Sequence, residues 1–313
     1  MPRKLIIDTD TASDDAVALI MAVKQPDVSI EAITVVAGNV PLDQAVQNAM
    51  YTLALCETDL PVYPGMDKPL IRALKTAEHV HGNDGMSDIG LPLQGFTPKP
   101  EHAVTVLINR INECEGEISL ICLAPLTNIA MALLLDKSIA SKVKDCVIMG
   151  GIGQGRGNVT PLSEYNFWAD PEAAKIVFES GIPIKMVGWD VSRDYAVFDD
   201  TEVQKLREIG TPLADFAVDV QKTLVEYAQQ SSHLKGFDLP DPIAMAIALD
   251  DTIATESKNA FVSILLNDDE SRGQTVVDFI GSSGKPPNAE VVLKADSQKF
   301  IAMLHRALAE HPA

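Results

Sequence analysis

Four carboxylates fall within eight residues of the segment Asp8-Thr9-Asp10-Thr11-Ala12-Ser13-Asp14-Asp15, with no basic residue among them. Like charges at this spacing repel, which raises their pKa values and lowers stability unless a cation or several amide donors compensate. A donor set made only of oxygen suits Ca²⁺ or Mg²⁺, whereas a Zn²⁺ or iron site would recruit His or Cys, and neither occurs before Cys56. An EF-hand is excluded: a loop beginning at Asp8 would carry Ala12 at its fifth position and Leu19 at its twelfth, where oxygen ligands are required. Capping of a helix by Ser13 or Asp14, with Asp15 complementing the dipole, accounts for one acidic side chain and not for four.

The cluster follows the apolar run Leu5-Ile6-Ile7 and precedes the helical pattern Ala16-Val17-Ala18-Leu19-Ile20, so it occupies a strand-to-helix turn. Further strands are expected over Ile30 to Ala37, Ile118 to Leu123, Val143 to Met149 and Pro183 to Val187. They alternate with helices at 15–25, 41–57, 101–114, 126–136 and 170–180. This order predicts an α/β fold with a mostly parallel sheet flanked by helices, in which ligands bind beyond the carboxyl ends of the strands. After about residue 195 the pattern changes to helices at 200–209, 211–230 and near Pro242, strands at 260–266, 273–279 and 289–294, and a last helix. The polar, Gly-rich loops 81–95 and 150–166 are placed to close over a site. Neither carries a dinucleotide fingerprint, and no phosphate-binding GxxxxGK[ST] occurs.

At 313 residues, with 46% hydrophobic and 22% charged content, the chain reads as one large soluble domain. Twenty-five Lys and Arg against 44 Asp and Glu leave a formal charge of −19, which repels nucleic-acid backbones and anionic lipid and favours a neutral small molecule. The four cysteines lack paired metal spacing and read as reduced thiols. The N-terminal apolar stretch is too short for a signal peptide or a membrane span, so a cytoplasmic protein is expected.

Taken in order, several motifs carry a resemblance: Asp8-Thr9-Asp10 with Asp14-Asp15, Gly38-Asn39, Pro125-Leu126-Thr127-Asn128-Ile129-Ala130, Met149-Gly150-Gly151, Glu164-Tyr165-Asn166 leading to Asp170-Pro171-Glu172, and Asp241-Pro242. Together they resemble the inosine-uridine-preferring nucleoside hydrolase family over nearly the whole chain. The resemblance implies a single domain over 1–313 with a nucleoside hydrolase fold and Rossmann-like core, a homodimeric or homotetrameric assembly, and hydrolysis of ribonucleosides to base and ribose. It implies Ca²⁺ held by Asp10, Asp15, Asp241 and the Thr127 carbonyl, and a ribose and base pocket formed by Asp14, Asn39, Asn158, Glu164, Tyr165 and Asn166. Asp10 would serve as general base on a water whose pKa the metal lowers. Read alone, Asp241 is a helix N-cap before Pro242, Thr127 a turn residue, and Asn39 and Asn158 turn asparagines.

Where many family members place His directly before the Asp-Pro pair, as the acid that protonates the base, this chain has Pro240. His81, His233 and Tyr227 are the replacement candidates, with stacking as the other route. His81 matches the family's His-Gly element, and His79 reads as a surface residue. Phe167, Trp168 and Trp189 are aromatic candidates whose expected fate is core packing. A competing reading takes Ile6-Ile7-Asp8-Thr9-Asp10 as the start of a haloacid-dehalogenase-type phosphatase motif, with Asp8 as nucleophile and Mg²⁺ assisting. A second makes the chain a Ca²⁺-dependent nucleoside binder without turnover.

Overall fold

The computed structural model describes residues 2–231 and 236–309. Its first half runs β1 (Arg3–Thr9), α1 (Ser13–Val23), β2 (Val28–Val35), α2 (Leu42–Leu55), β3 (Val62–Pro64), α3 (Glu78–His81), α4 (Ala103–Glu113), β4 (Ile118–Cys122), α5 (Thr127–Leu135) and β5 (Asp145–Met149). The second half continues with α6 (Tyr165–Ala169), α7 (Pro171–Phe178), β6 (Ile184–Val187), α8 (Trp189–Tyr195), β7 (Val197–Phe198), α9 (Asp200–Glu208), α10 (Pro212–Asp219) and α11 (Lys222–Ser231). It ends with β8 (Phe237–Asp238), α12 (Pro240–Leu249), β9 (Ala254–Ile264), β10 (Thr275–Asp278), β11 (Ala289–Ala295) and α13 (Ser297–Ala309). No described helix is long and apolar enough to cross a membrane.

Nine strands form one sheet in the order β10-β9-β11-β6-β5-β4-β1-β2-β3, parallel except where β9 pairs with β10 and β11. From β1 the chain winds outward through β2 and β3, then returns to place β4, β5 and β6 on β1's other side. The order therefore reverses between β1 and β4, and the crevice beyond the carboxyl ends of those two strands is where an open α/β sheet admits a ligand. Because successive strand residues face opposite sides, Leu5 and Ile7 join one apolar core with α1 and α12. Ile6 joins the other, with α4, α5 and α7.

Helices α1 and α12 pack together and are apolar around nearly their whole circumference, as befits helices buried on all sides. Their amino ends carry Asp14 and Asp15 on one and Asp241 on the other, so core packing brings together acids from distant parts of the chain. On the other face Asn128, at the start of α5, ties the switch point together. Its amide donates to Asp8 Oδ1 at 2.8 Å and the Val35 carbonyl at 3.1 Å, and its oxygen accepts from Met66 N at 2.9 Å. Asn128→Ala strands several buried groups, each costing about 1–3 kcal/mol. Denaturant melts should show a net loss of about 3 kcal/mol.

The strand and helix expectations hold to within a few residues except at 260–266, where β9 begins six residues earlier at Ala254, and at 211–230, which is two helices. Gln221 is fully buried and turns inward to donate to the Ser13 carbonyl at 2.9 Å, while the Ser87 hydroxyl takes the Val220 carbonyl at 2.5 Å. That carbonyl is capped by a side chain at the break. The same contact pins loop 81–95, whose Met86 and Leu93 are buried, so beyond His81 it is anchored to the core and is no free lid.

Candidate active site

A cavity of about 380 Å³ opens over the switch point, with Asp14, Asn39 and Asp241 in its wall. One carboxylate oxygen from each of Asp14, Asp15 and Asp241 lies within 4.8 Å of the other two, and all three side chains are buried. Neither Ser13 nor Asp14 caps α1: Ala12 stands at the cap, and Asp15 reaches back to accept its N–H at 3.0 Å. Asp241 is not a cap either. Leu239 holds that position, Pro240 follows it, and Asp241 lies within the first turn of α12.

Asp10 lies outside the close trio because the Gly38-Asn39 turn holds it, with the Asn39 N–H donating to its Oδ2 at 2.6 Å. Its Oδ1, like Asp14 Oδ1 and Asp8 Oδ2, is buried with no hydrogen-bond partner. Desolvation, then the charges of Asp15 and Asp14, push Asp10 well above the carboxylate range; desolvation, then Asp14, Asp15 and Asp10, do the same to Asp241. Burial raises Asp14 and Asp15 to about 6. Oxygen donors left without partners in mutual repulsion are what a hard cation would satisfy, so the residues present fit Ca²⁺. The Thr127 hydroxyl donates to Asp170 Oδ2 at 2.8 Å.

Gly38 is required at its position by close approach. A Cβ there would lie 2.1 Å from Asp10 Oδ2 and 2.9 Å from Pro125 Cδ. Gly38→Ala must displace the Asp10 carboxylate, and a shift of that size at a reacting group lowers kcat on the order of 10²-fold. Steady-state kinetics on the variant, with circular dichroism to show an intact fold, checks this.

The opposite wall comes from β5 and α6. Glu164 caps α6, accepting from Asn166 N at 2.6 Å, Phe167 N at 3.2 Å and Gly151 N at 2.8 Å; burial lifts its pKa to about 7 against these donors. The Asn166 amide is spent on the Leu123 and Met149 carbonyls, and the Tyr165 hydroxyl on the Lys75 carbonyl. Asn158 lines the cavity with a buried, unpartnered Oδ1. His81 is buried, with Nδ1 2.9 Å from the Ser13 hydroxyl, and burial lowers its pKa to about 4. His79 is exposed as expected, yet it lines the mouth edge-on to Tyr227. His233 lies outside the described residues.

One aromatic expectation changes. Phe167 is a core residue against Phe178, and Trp189 is buried in the core while also reaching the cavity, but Trp168 is half-buried and lines the cavity. Each tryptophan carries an arginine on its ring, Arg272 over Trp168 at 4.2 Å and Arg193 over Trp189 at 4.7 Å. Asp8, the nucleophile of the phosphatase reading, is buried with Oδ1 held by Thr34 and Asn128; like Asp10 it lies behind the cavity lining, but unlike Asp10 it carries the structural tie to Asn128. Sequence reasoning missed Asp238, a buried cavity residue whose only signal is its place three residues before Asp241.

Comparisons with known proteins extend over nearly the whole chain. The model of the family described as "Inosine-uridine preferring nucleoside hydrolase" matches residues 5–302. The chain is 36% identical over 311 residues to the pyrimidine-specific ribonucleoside hydrolase RihA of Shewanella sp. (strain ANA-3), covering 99% of this chain and 97% of that one. Among solved structures, the plant nucleoside hydrolase PpNRh1 superposes with a TM-score of 0.92 at 30% identity, covering 99% of each chain. The purine-preferring ribonucleoside hydrolase from Gardnerella vaginalis does so at 0.90 and 28% identity, covering 98% of each.

Proposed function

The chain belongs to the inosine-uridine preferring nucleoside hydrolase family and hydrolyses the N-glycosidic bond of nucleosides, and from that premise we propose that it is a Ca²⁺-dependent ribonucleoside hydrolase with Asp10 as general base. The observation that carries this reading is a buried acidic cluster that reaches the wall of a nucleoside-sized cavity through Asp14 and Asp241, with Asp10 Oδ1 and Asp14 Oδ1 lacking hydrogen-bond partners. Asp10, Asp15, Asp241 and the Thr127 carbonyl would hold the ion, with Asp14 close enough to contribute. Bound there, Ca²⁺ supplies positive charge that lowers the pKa of water and orders the sugar hydroxyls.

The chain's own residues divide the remaining work. Asp10 takes the proton of the water that attacks C1′, its free Oδ1 being the acceptor. Asp14, Asn39, Asn158, Glu164 and Asn166 bind ribose hydroxyls, and the carboxylate of Glu164 stabilises the oxocarbenium-like transition state. His81, buried with Nδ1 on the Ser13 hydroxyl and its pKa lowered by burial to about 4, is a contact for the base. Tyr165 closes the pocket beside Glu164. The Trp168 and Trp189 faces exclude water and offer stacking surface to purines or pyrimidines alike. In this reading the enzyme acts in the cytoplasm as a homodimer or homotetramer, serving nucleoside salvage.

A panel of purine and pyrimidine nucleosides assayed for reducing sugar tests the reading. Ribose release that stops after exhaustive chelation and returns with Ca²⁺ is expected. Release from no ribonucleoside, or release indifferent to chelation, overturns it.

A further inference from the structure

Hydrolysis has a proton balance that Asp10 does not close. Water's oxygen bonds to C1′ and the C1′–N bond breaks with its electron pair left on the base, which then needs a proton from a second group. Pro240, beside Asp241 in the wall, has none to give. Glu164 is held as an acceptor by backbone N–H groups on both oxygens. The Tyr165 hydroxyl is engaged as a hydrogen-bond donor to the Lys75 carbonyl at 2.8 Å. His81 Nδ1 is engaged with the Ser13 hydroxyl at 2.9 Å, and the exposed His79 packs edge-on against Tyr227.

We infer that Asp238 is the acid that gives its proton to the departing base. The inference rests on the reading above, that ribose lies over the carboxylate floor. Asp238 is 7% exposed and lines the cavity, and its backbone is fixed by the pairing of β8 with β7, where it faces Val197. Its Oδ2 lies 2.5 Å from the Ser192 hydroxyl, which is itself 3.0 Å from the Trp189 carbonyl. That hydroxyl has one proton and two oxygens in reach. Turned to the Trp189 carbonyl, it leaves the short contact to be closed by a proton on Asp238. Turned to Asp238, it stabilises the carboxylate that remains once the proton has gone. Ser192 therefore satisfies both protonation states, as a cycling acid requires.

The surroundings agree. Desolvation raises Asp238 above the usual carboxylate range, against the pull of Ser192, Arg193 and Trp189, all on α8; from α1 the charge of Asp14 couples to it, and Tyr227 on α11 faces the same cavity. In the step itself the Asp238 proton passes to the base nitrogen as the C1′–N pair departs, and the carboxylate is reprotonated from solvent after the products leave.

The test compares leaving groups. Asp238→Asn keeps the shape and loses the proton, so kcat/KM on inosine and uridine should fall on the order of 10²-fold or more. On p-nitrophenyl ribofuranoside, whose phenolate departs without protonation, it should stay within about 3-fold. Ser192→Ala should show the same selectivity at smaller amplitude, and it stands in if Asp238→Asn does not fold. Equal loss on both substrate types would make Asp238 structural, and unchanged nucleoside turnover, or selective loss confined to His233→Ala, would equally overturn the inference. A wild-type enzyme that releases ribose from no substrate would instead overturn the proposed function.

Discussion

Asp10→Asn is expected to lower kcat on ribonucleosides by about 10³- to 10⁴-fold while changing substrate affinity only modestly. The amide retains the shape and can still sit against the Asn39 N–H, but it cannot accept the proton of water. The mutation thus removes an interaction that matters in the transition state and spares the ground-state contacts of Asp14, Asn39 and Glu164. Steady-state kinetics separates the two effects. A variant within a few-fold of wild-type kcat would show that another group accepts the proton.

The second large effect is a reversal of sign. Without cation, Asp241 contributes repulsion to a buried cluster in which Asp14, Asp15 and Asp10 all raise its pKa. Asp241→Ala should therefore melt at or above the wild-type temperature in chelator. With Ca²⁺ at about a hundred times its dissociation constant, the wild type gains about 2.7 kcal/mol from binding that the variant has lost, and the order inverts. Thermal melts of both proteins in chelator and in Ca²⁺ read this directly. Equal Ca²⁺ stabilisation of both would remove Asp241 from the cation site.

The parts of the molecule governed by local pattern were legible in the sequence. Strand–helix alternation specified the parallel sheet, and the density of aspartates at 8–15 marked the floor of the cavity, because four like charges have no inexpensive structural role. Asp241 was legible through its motif and not through its chemistry; read alone it resembled a cap, and only the packing of α1 on α12 brings it to Asp14 and Asp15. What escaped depends on long-range contacts. The break at Val220 needs Ser87 and Gln221 to be seen reaching across the fold. Trp168 looks like a core residue until Arg272 is placed on its ring, and Trp189, buried in the core as expected, gives no sign in the sequence that it also reaches the cavity. Asp238 is an ordinary strand acid until Ser192 and the cavity surround it.

The account turns on a cation gripped by acids from the two ends of the chain, and metal analysis of the native protein tests it most directly. Elemental analysis after gel filtration should find one Ca²⁺ per chain in the wild type and a small fraction of that in Asp241→Ala. A fully active wild-type enzyme carrying no Ca²⁺, or a variant retaining the full complement, would contradict it.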